Sequence, residues 1–197
     1  MDSDRLLSSL LASGQTTDII EPFTGATLYS LPTSTEDDVD AVFDEARRAQ
    51  RMWADTPVSV RSAIMLRFHD ALLDDRQSVL DLLQRETGKA RKDANEEVLD
   101  VCITARHYAR DARRLLRPRR RLGALPGLVG VVERRVPFGV VGVIAPWNYP
   151  LTLAISDAIP AMMAGNGVVV KPDVQTTLSA LWIADLLERA GLPPGVF

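Results

Sequence analysis

The sequence predicts an α/β chain, with a helical N-terminal region followed by the first βαβα unit of a Rossmann-like parallel sheet. Three observations carry that reading. Between residues 35 and 116, apolar residues recur at helical spacing. After residue 121 the pattern changes to strand character, with Gly and Pro punctuating short Val-rich runs. From Gly139 a continuous apolar run, GVVGVIA, is followed by a helical segment, a second run, GVVVK, and another helical segment. That order builds parallel sheets, whose strands read as unbroken apolar runs because helices cover both faces.

The elements follow in order. Residues 1–20 read as a flexible tail or frayed helix, and EPFTGATLYSLP as a short hairpin. Thr35, with Asp38 three residues on, is a capping-box pattern ahead of the stripe Val39, Val42, Phe43, Ala46, Ala49 and Trp53. Thr56-Pro57 reads as the N-cap and first residue of a second helix, which runs through Ile64, Leu72 and Leu83 to a stop at Gly88. The DDR at 74–76 is a candidate break within it. A third helix carries Val98, Val101, Cys102, Ala105, Ala109 and Ala112, and Pro118 limits its continuation. LGALPGLVGVVERRV then suits a hairpin or an extended arm. A strand from Gly139, a helix over 151–164, the strand Gly167–Lys171 and a helix over 176–190 complete the reading. Gly165-Asn166-Gly167 precedes a strand and lacks a third glycine, so it is a helix-ending turn rather than a phosphate loop.

Two parallel strands do not make an independently stable sheet. The chain ends in GLPPGVF, where a third strand would begin, so the expectation is the N-terminal part of a longer protein.

Composition excludes several classes. The 197 residues are 46% hydrophobic and 25% charged, ordinary values for a globular protein able to bury a sizeable core. A formal net charge of -3 argues against a nucleic-acid partner, since phosphate recognition draws on a basic domain. No apolar run approaches the roughly 18 residues of a membrane span. The N-terminus carries Asp2 and Asp4 in place of a basic start, and the single Cys102 allows no internal disulfide, so the expected compartment is the cytoplasm.

Most other chemistry-bearing residues have plain readings. Cys102 lies on an apolar helical stripe and reads as core. His69 and His107 lack a second ligand at metal spacing, and no metal site is expected. Arg113, Arg114, Arg117, Arg119, Arg120 and Arg121 read as a cluster offsetting a helix C-terminal dipole on a solvated or subunit-facing surface. Glu86, Glu96 and Glu97 read as charges on helix surfaces.

The stretch that speaks of a ligand is 136–173. One strand ends at Pro146-Trp147-Asn148 and the next delivers Lys171, and ligands of open α/β sheets bind beyond the carboxyl ends of parallel strands. FGVVGVIAPWNYPLTLAISDAIPAMMAGNGVVVKPDVQTTLSALWIADLLERAGLPPGVF resembles the aldehyde dehydrogenase superfamily almost position for position, and LQRETGKAR at 83–91 resembles an upstream signature of the same family. The similarity runs from about Glu21 to the end. KPD-x-QT and ETGKAR look most like the NADP-dependent succinate-semialdehyde dehydrogenase branch.

The resemblance implies a chemistry. In that family a cysteine attacks an aldehyde, hydride passes to a nicotinamide cofactor, and a glutamate-activated water hydrolyses the thioester. Asn148 matches the amide that donates to the developing oxyanion. Ile144, Ala145, Pro146 and Trp147 match the lining of the nicotinamide half, and Lys171 matches the residue that hydrogen-bonds the adenosine ribose, followed by Pro172, Asp173 and Val174. Neither the nucleophile nor the glutamate has a match here, so the isolated chain is expected to be inactive, and its open strand edge and uncovered helix faces are expected to make it poorly soluble. Val174 stands where many NAD-using members carry a ribose-binding glutamate, which favours NADP. Asp173 stands where many NADP-preferring members carry a small hydroxyl residue, which leaves NAD open.

The expected organisation is a tail at 1–20, the helical part of a cofactor-binding domain at 21–121, an arm resembling oligomerisation strands at 122–137, and an incomplete NAD(P)-binding unit at 138–197. The partners implied are a small aldehyde and, in the full-length form, further copies of the chain. The alternative is a non-catalytic nucleotide-binding or oligomerisation module.

Overall fold

The computed structural model describes residues 3–125 and 127–197; Met1 and Asp2 of the expected tail, and Pro126 of the expected arm, lie outside the described residues. The elements are α1 (Ser3–Leu7), β1 (Thr16–Ile20), β2 (Thr27–Pro32), α2 (Glu36–Asp55), α3 (Val58–Asp74), α4 (Arg76–Thr87) and α5 (Arg91–Leu116). After them come β3 (Arg119–Leu122), β4 (Gly130–Glu133), β5 (Val140–Ile144), α6 (Pro150–Ile155), α7 (Ala158–Met163), β6 (Gly167–Lys171) and α8 (Thr177–Arg189). The predicted α/β class and the βαβα order are both present.

Local chemistry starts and stops the helices where the sequence marks them. The Thr35 hydroxyl accepts from the Asp38 N–H at 3.3 Å and the Asp38 carboxylate accepts from the Thr35 N–H at 2.8 Å, the reciprocal capping box. The long helix divides at Asp75, within the DDR. Gly88 ends α4 at φ 72°, a left-handed turn that glycine adopts without cost. One boundary moves by a residue: Thr56 closes α2, and Pro57 rather than Thr56 caps α3.

The first 20 residues are more ordered than expected. Leu6 is buried and Arg5 pairs with Asp185 on α8 at 2.7 Å. Ser13 donates its N–H and its hydroxyl to Asp38, each at 2.8 Å. These bonds and those from Thr35 hold the Asp38 carboxyl well below the usual carboxylate range. The hairpin also starts upstream of its expected place: β1 lies at 16–20 and pairs antiparallel with β2. Ile19 and Tyr29 bury their side chains, and sequence reading missed β1 because one buried side chain in TTDII leaves almost no alternation to detect.

One core runs through the whole chain, from Leu6 to Val196. Helix α3 packs along α5, α8 lies against α1, α3, α4 and α6, and α2 covers β6. Trp53 on α2 buries its ring and donates its indole N–H to Met162 O at 2.8 Å. The predicted helix over 151–164 is two short ones, α6 and α7, separated at Ser156 and Asp157. Gly165 then turns at φ 94°, where a Cβ would lie 3.1 Å from the Arg61 guanidinium. Asn166 closes the turn, donating to Ala161 O at 3.0 Å and accepting from the Gly139 N–H at 3.1 Å, which binds the start of β5 to the end of α7.

β5 and β6 are parallel, with Val140 opposite Gly167 and Ile144 opposite Lys171. The expectation that helices cover both faces of β5 fails here: no residue of β5 is buried and Ile144 is 83% exposed. β6 is better enclosed, and the Val168 N–H donates to Val196 O at 2.8 Å, so the last residues lie along its other edge. β3 and β4 form an exposed antiparallel hairpin, beginning three residues before the expected arm, with Leu122 and Leu128 on its surface. Among the described residues no helix is long and apolar enough to cross a membrane.

Candidate functional site

The two strand ends stand side by side. The Ala145 N–H donates to Lys171 O at 3.0 Å, one step beyond the last paired residues of β5 and β6. Ala145 is buried, while Ile144, Pro146, Trp147, Asn148 and Lys171 face solvent, Trp147 at 61% exposure. The Asn148 side chain and the Lys171 ammonium make no hydrogen bond or ion pair among the described residues, so both are free to meet a ligand. An apolar wall, an amide donor and a cation thus share one sheet end, a donor set that suits a dinucleotide and a carbonyl compound.

Beyond Lys171 the chain turns through Pro172, Asp173 and Val174 into a single 3-10 turn, Val174–Thr176, and then α8. The Asp173 carboxylate accepts from the Gln175 N–H at 2.9 Å and caps that turn. Its charge is therefore directed at backbone, while the Val174 side chain is 41% exposed. Gln175 donates to Ile20 O at 3.0 Å and to Glu86 O at 2.9 Å, tying the turn to β1 and α4.

The helices that follow the two strand ends are each capped from far away. α6 has no capping side chain of its own, and Pro150 at its first position brings no N–H. The next two N–H groups, of Leu151 and Thr152, donate to Glu97 Oε2 at 2.9 and 3.2 Å. α8 also lacks a local side-chain cap, and its Leu178 and Ser179 N–H groups donate to Glu86 at 2.9 and 3.0 Å. Both glutamates take the bonds that a Ser, Thr or Asp N-cap would take.

Their surroundings differ. Glu97 is 1% exposed and pairs with Lys89 in a very short contact. Lys89 also donates to Asn148 O at 2.9 Å, and its ammonium lies 5.0 Å from the centre of the Tyr149 ring. Glu86 is fully buried and, among the described residues, has hydroxyls rather than a cation beside it: Tyr29 donates its phenol at 2.8 Å, and the Ser179 hydroxyl makes a very short bond. Burial pushes the Glu86 carboxyl up to about 7, against bonds from Ser179, Tyr29 and the α8 backbone that favour the charged form. Burial, then the Glu86 carboxylate, raises the Tyr29 phenol well above its usual range.

The reading of Glu86 and Glu97 as surface charges is therefore wrong, and Lys89 had no assigned role. A signal existed. Ala94, Glu97, Val98, Val101 and Ala105 share one stripe of α5, and Val79, Leu83 and Glu86 share one stripe of α4, so each glutamate interrupts an apolar face. Such an interruption calls for a buried partner. Glu96, by contrast, is exposed as expected. Cys102 is core: it is 4% exposed, and burial, with Asp70 nearby, raises its thiol to about 11. His69 contacts Asp70 at 2.8 Å and His107 contacts Asp111 at 3.6 Å. Among the described residues no group of three or more His, Cys, Asp and Glu is placed to hold a metal. In the arginine cluster, Arg121 pairs with Glu133 across the β3–β4 hairpin at 2.6 Å.

The sequence profile of the aldehyde dehydrogenase family matches residues 11–197. The chain belongs to the aldehyde dehydrogenase family. A Mycolicibacterium smegmatis protein, provisionally named succinate-semialdehyde dehydrogenase [NADP(+)], is 52% identical over 187 residues, which cover 95% of this chain and 36% of that protein. In shape the chain is similar to a provisionally named aldehyde dehydrogenase from Bacillus subtilis, with a TM-score of 0.92 at 28% identity, over 100% of this chain and 45% of the other. It is also similar to an NAD-dependent benzaldehyde dehydrogenase from Corynebacterium glutamicum, with a TM-score of 0.87 at 33% identity, over 94% and 40% of the two chains. This aldehyde dehydrogenase chain thus spans about a third of the length of the curated relative it matches.

Proposed function

We propose that this chain supplies the oxyanion-donor and ribose-binding half of a site that oxidises an aldehyde to a carboxylic acid with NADP. The observation that carries the reading is that two polar side chains unpaired among the described residues share one sheet end, Lys171 at the last paired position of β6 and Asn148 just past the end of β5. The Asn148 amide donates to the aldehyde oxygen as negative charge grows on it. Ile144 to Trp147 form the apolar wall that excludes water beside the nicotinamide, and the Lys171 ammonium holds the ribose hydroxyls. The cofactor, when bound, accepts the hydride. A cysteine nucleophile must come from outside these residues, because Cys102 is buried in the core with a raised pKa. On this reading the 197 residues alone do not turn over, and the complete protein is a cytoplasmic homo-oligomer.

NADP is favoured over NAD because Val174 offers no carboxylate to repel a 2'-phosphate and the Asp173 carboxylate is turned onto the Gln175 N–H. The relatives' names include both cofactors. Succinate semialdehyde as the aldehyde is supported by the name of the 52% identical relative and by ETGKAR and KPD-x-QT. The test is dinucleotide binding and turnover by the protein as its own gene encodes it. Lys171→Ala should weaken NADP binding by about tenfold, roughly the value of one charge-assisted hydrogen bond. Asn148→Ala should cut kcat by roughly a hundredfold while leaving cofactor binding within about twofold. Tighter binding of NAD than of NADP overturns the cofactor assignment, and full turnover by Asn148→Ala overturns the site.

A further inference from the structure

We infer that Lys89 and Glu97 form a bracket that positions Asn148: they are positioning residues for the oxyanion donor, acting through its own carbonyl and the backbone that follows it. The inference rests on the reading of Asn148 given under Proposed function, and it adds two residues outside the strand ends. Among the described residues the Asn148 side chain makes no hydrogen bond, so what the protein fixes for it is the backbone from which the amide projects. That backbone is held at two places. Lys89 Nζ grips the carbonyl of Asn148 itself at 2.9 Å, and Glu97 Oε2 grips the N–H groups of Leu151 and Thr152 at 2.9 and 3.2 Å.

The two grips are joined, because Lys89 and Glu97 are bonded to each other. The Glu97 side chain is wholly buried and that of Lys89 only 13% exposed, so water cannot readily replace either partner. Lys89 stands between α4 and α5 and Glu97 in the second turn of α5, both on the helical layer rather than on the sheet. The segment from Pro146 to Tyr149 is exposed throughout and has little packing of its own. A charged pair with one bond to this segment and two to the first turn of α6 is what fixes it against the helices. The Tyr149 ring over the Lys89 ammonium closes the remaining side.

The test uses Lys89→Met, which keeps the stem and removes the charge, Lys89→Arg as the conservative exchange, and Glu97→Gln, all in the protein as its own gene encodes it. Two readouts are taken, hydrogen exchange of the 145–155 segment by mass spectrometry and steady-state kinetics. Lys89→Met should speed exchange of the Leu151 and Thr152 amides at least tenfold, and should lower kcat by about tenfold with the cofactor KM changed less than twofold. Lys89→Arg should restore both to within about threefold, which a merely space-filling role would not do. Glu97→Gln should reproduce the exchange effect, and it decides the matter should Lys89→Met fold poorly. Unchanged exchange in both Lys89→Met and Glu97→Gln overturns the bracket; faster exchange with unchanged kcat overturns its role in positioning Asn148. If the unaltered protein oxidises no aldehyde, the reading of the site falls while the exchange readout still decides the bracket.

Discussion

Glu86 and Glu97 solve one problem with different partners. Each is a buried carboxylate that caps a helix from another part of the chain, 92 and 54 residues away, and each helix follows a strand that ends at the site. Glu97 meets an ammonium, which has only protons to give. Glu86 meets two hydroxyls, those of Tyr29 and Ser179, and a hydroxyl can reverse from donor to acceptor. The Glu86 pocket can therefore accommodate a proton on the carboxyl. What the difference teaches is that capping a helix and committing to a charge are separable. The loop before α6 is held by a carboxylate that meets an ammonium, whereas the turn before α8 is held by a carboxyl that meets hydroxyls and that burial raises to about 7.

The largest expected effect breaks the comparison at its stronger end. Glu86→Ala removes an acceptor from two backbone N–H groups and two hydroxyls and leaves a cavity, so it should cost about 4 kcal/mol of stability in chemical denaturation. Lys89→Met, measured the same way, should cost about 2 kcal/mol, because Lys89 retains some contact with solvent. A larger loss from Lys89→Met than from Glu86→Ala would reverse the ranking of the two caps.

The next effect is pH dependence. A carboxyl raised to about 7 from an ordinary value of 4.5 binds its proton more tightly in the folded chain than in the unfolded one. Its contribution is therefore fully present below about pH 4.5 and is lost as pH rises through about 7, by roughly 3 kcal/mol at most. Subtracting the stability curve of Glu86→Gln from that of the unaltered protein isolates this term. A flat difference between pH 4.5 and 7.5 would show that the Glu86 pocket does not titrate as its partners imply.

The smallest effect sharpens the contrast between remote and local caps. Thr35→Ala removes one side of an exposed capping box and should cost about 1 kcal/mol. Its thermal midpoint should fall by a few degrees at most, well short of the change in Glu86→Ala.

Short-range physics explains what was legible beforehand. The capping box at Thr35, the break at Asp75, the stop at Gly88 and the strands ending at Ile144 and Lys171 all follow from residues within one or two turns of each other. The tail failed as an expectation because its order comes from Asp38 and Asp185, which lie at least 25 residues further along the chain. The split between α6 and α7 was not readable either, since the apolar spacing continues across Ser156 and Asp157.

By itself the sequence determined the α/β class, the order of a helical region, a hairpin and a βαβα unit, the pair Asn148 and Lys171 at neighbouring strand ends, and Cys102 as core. Each rests on periodicity, on turn chemistry or on a motif contained in one short segment. Only the tertiary structure decided that Glu86 and Glu97 are interior groups, that Lys89 holds the Asn148 carbonyl, and that Asp173 spends its charge on its own backbone turn. The physical reason is burial. Whether a charged residue faces water or a helix terminus depends on what the rest of the chain packs against it, and a buried carboxylate is tolerated only where such partners converge.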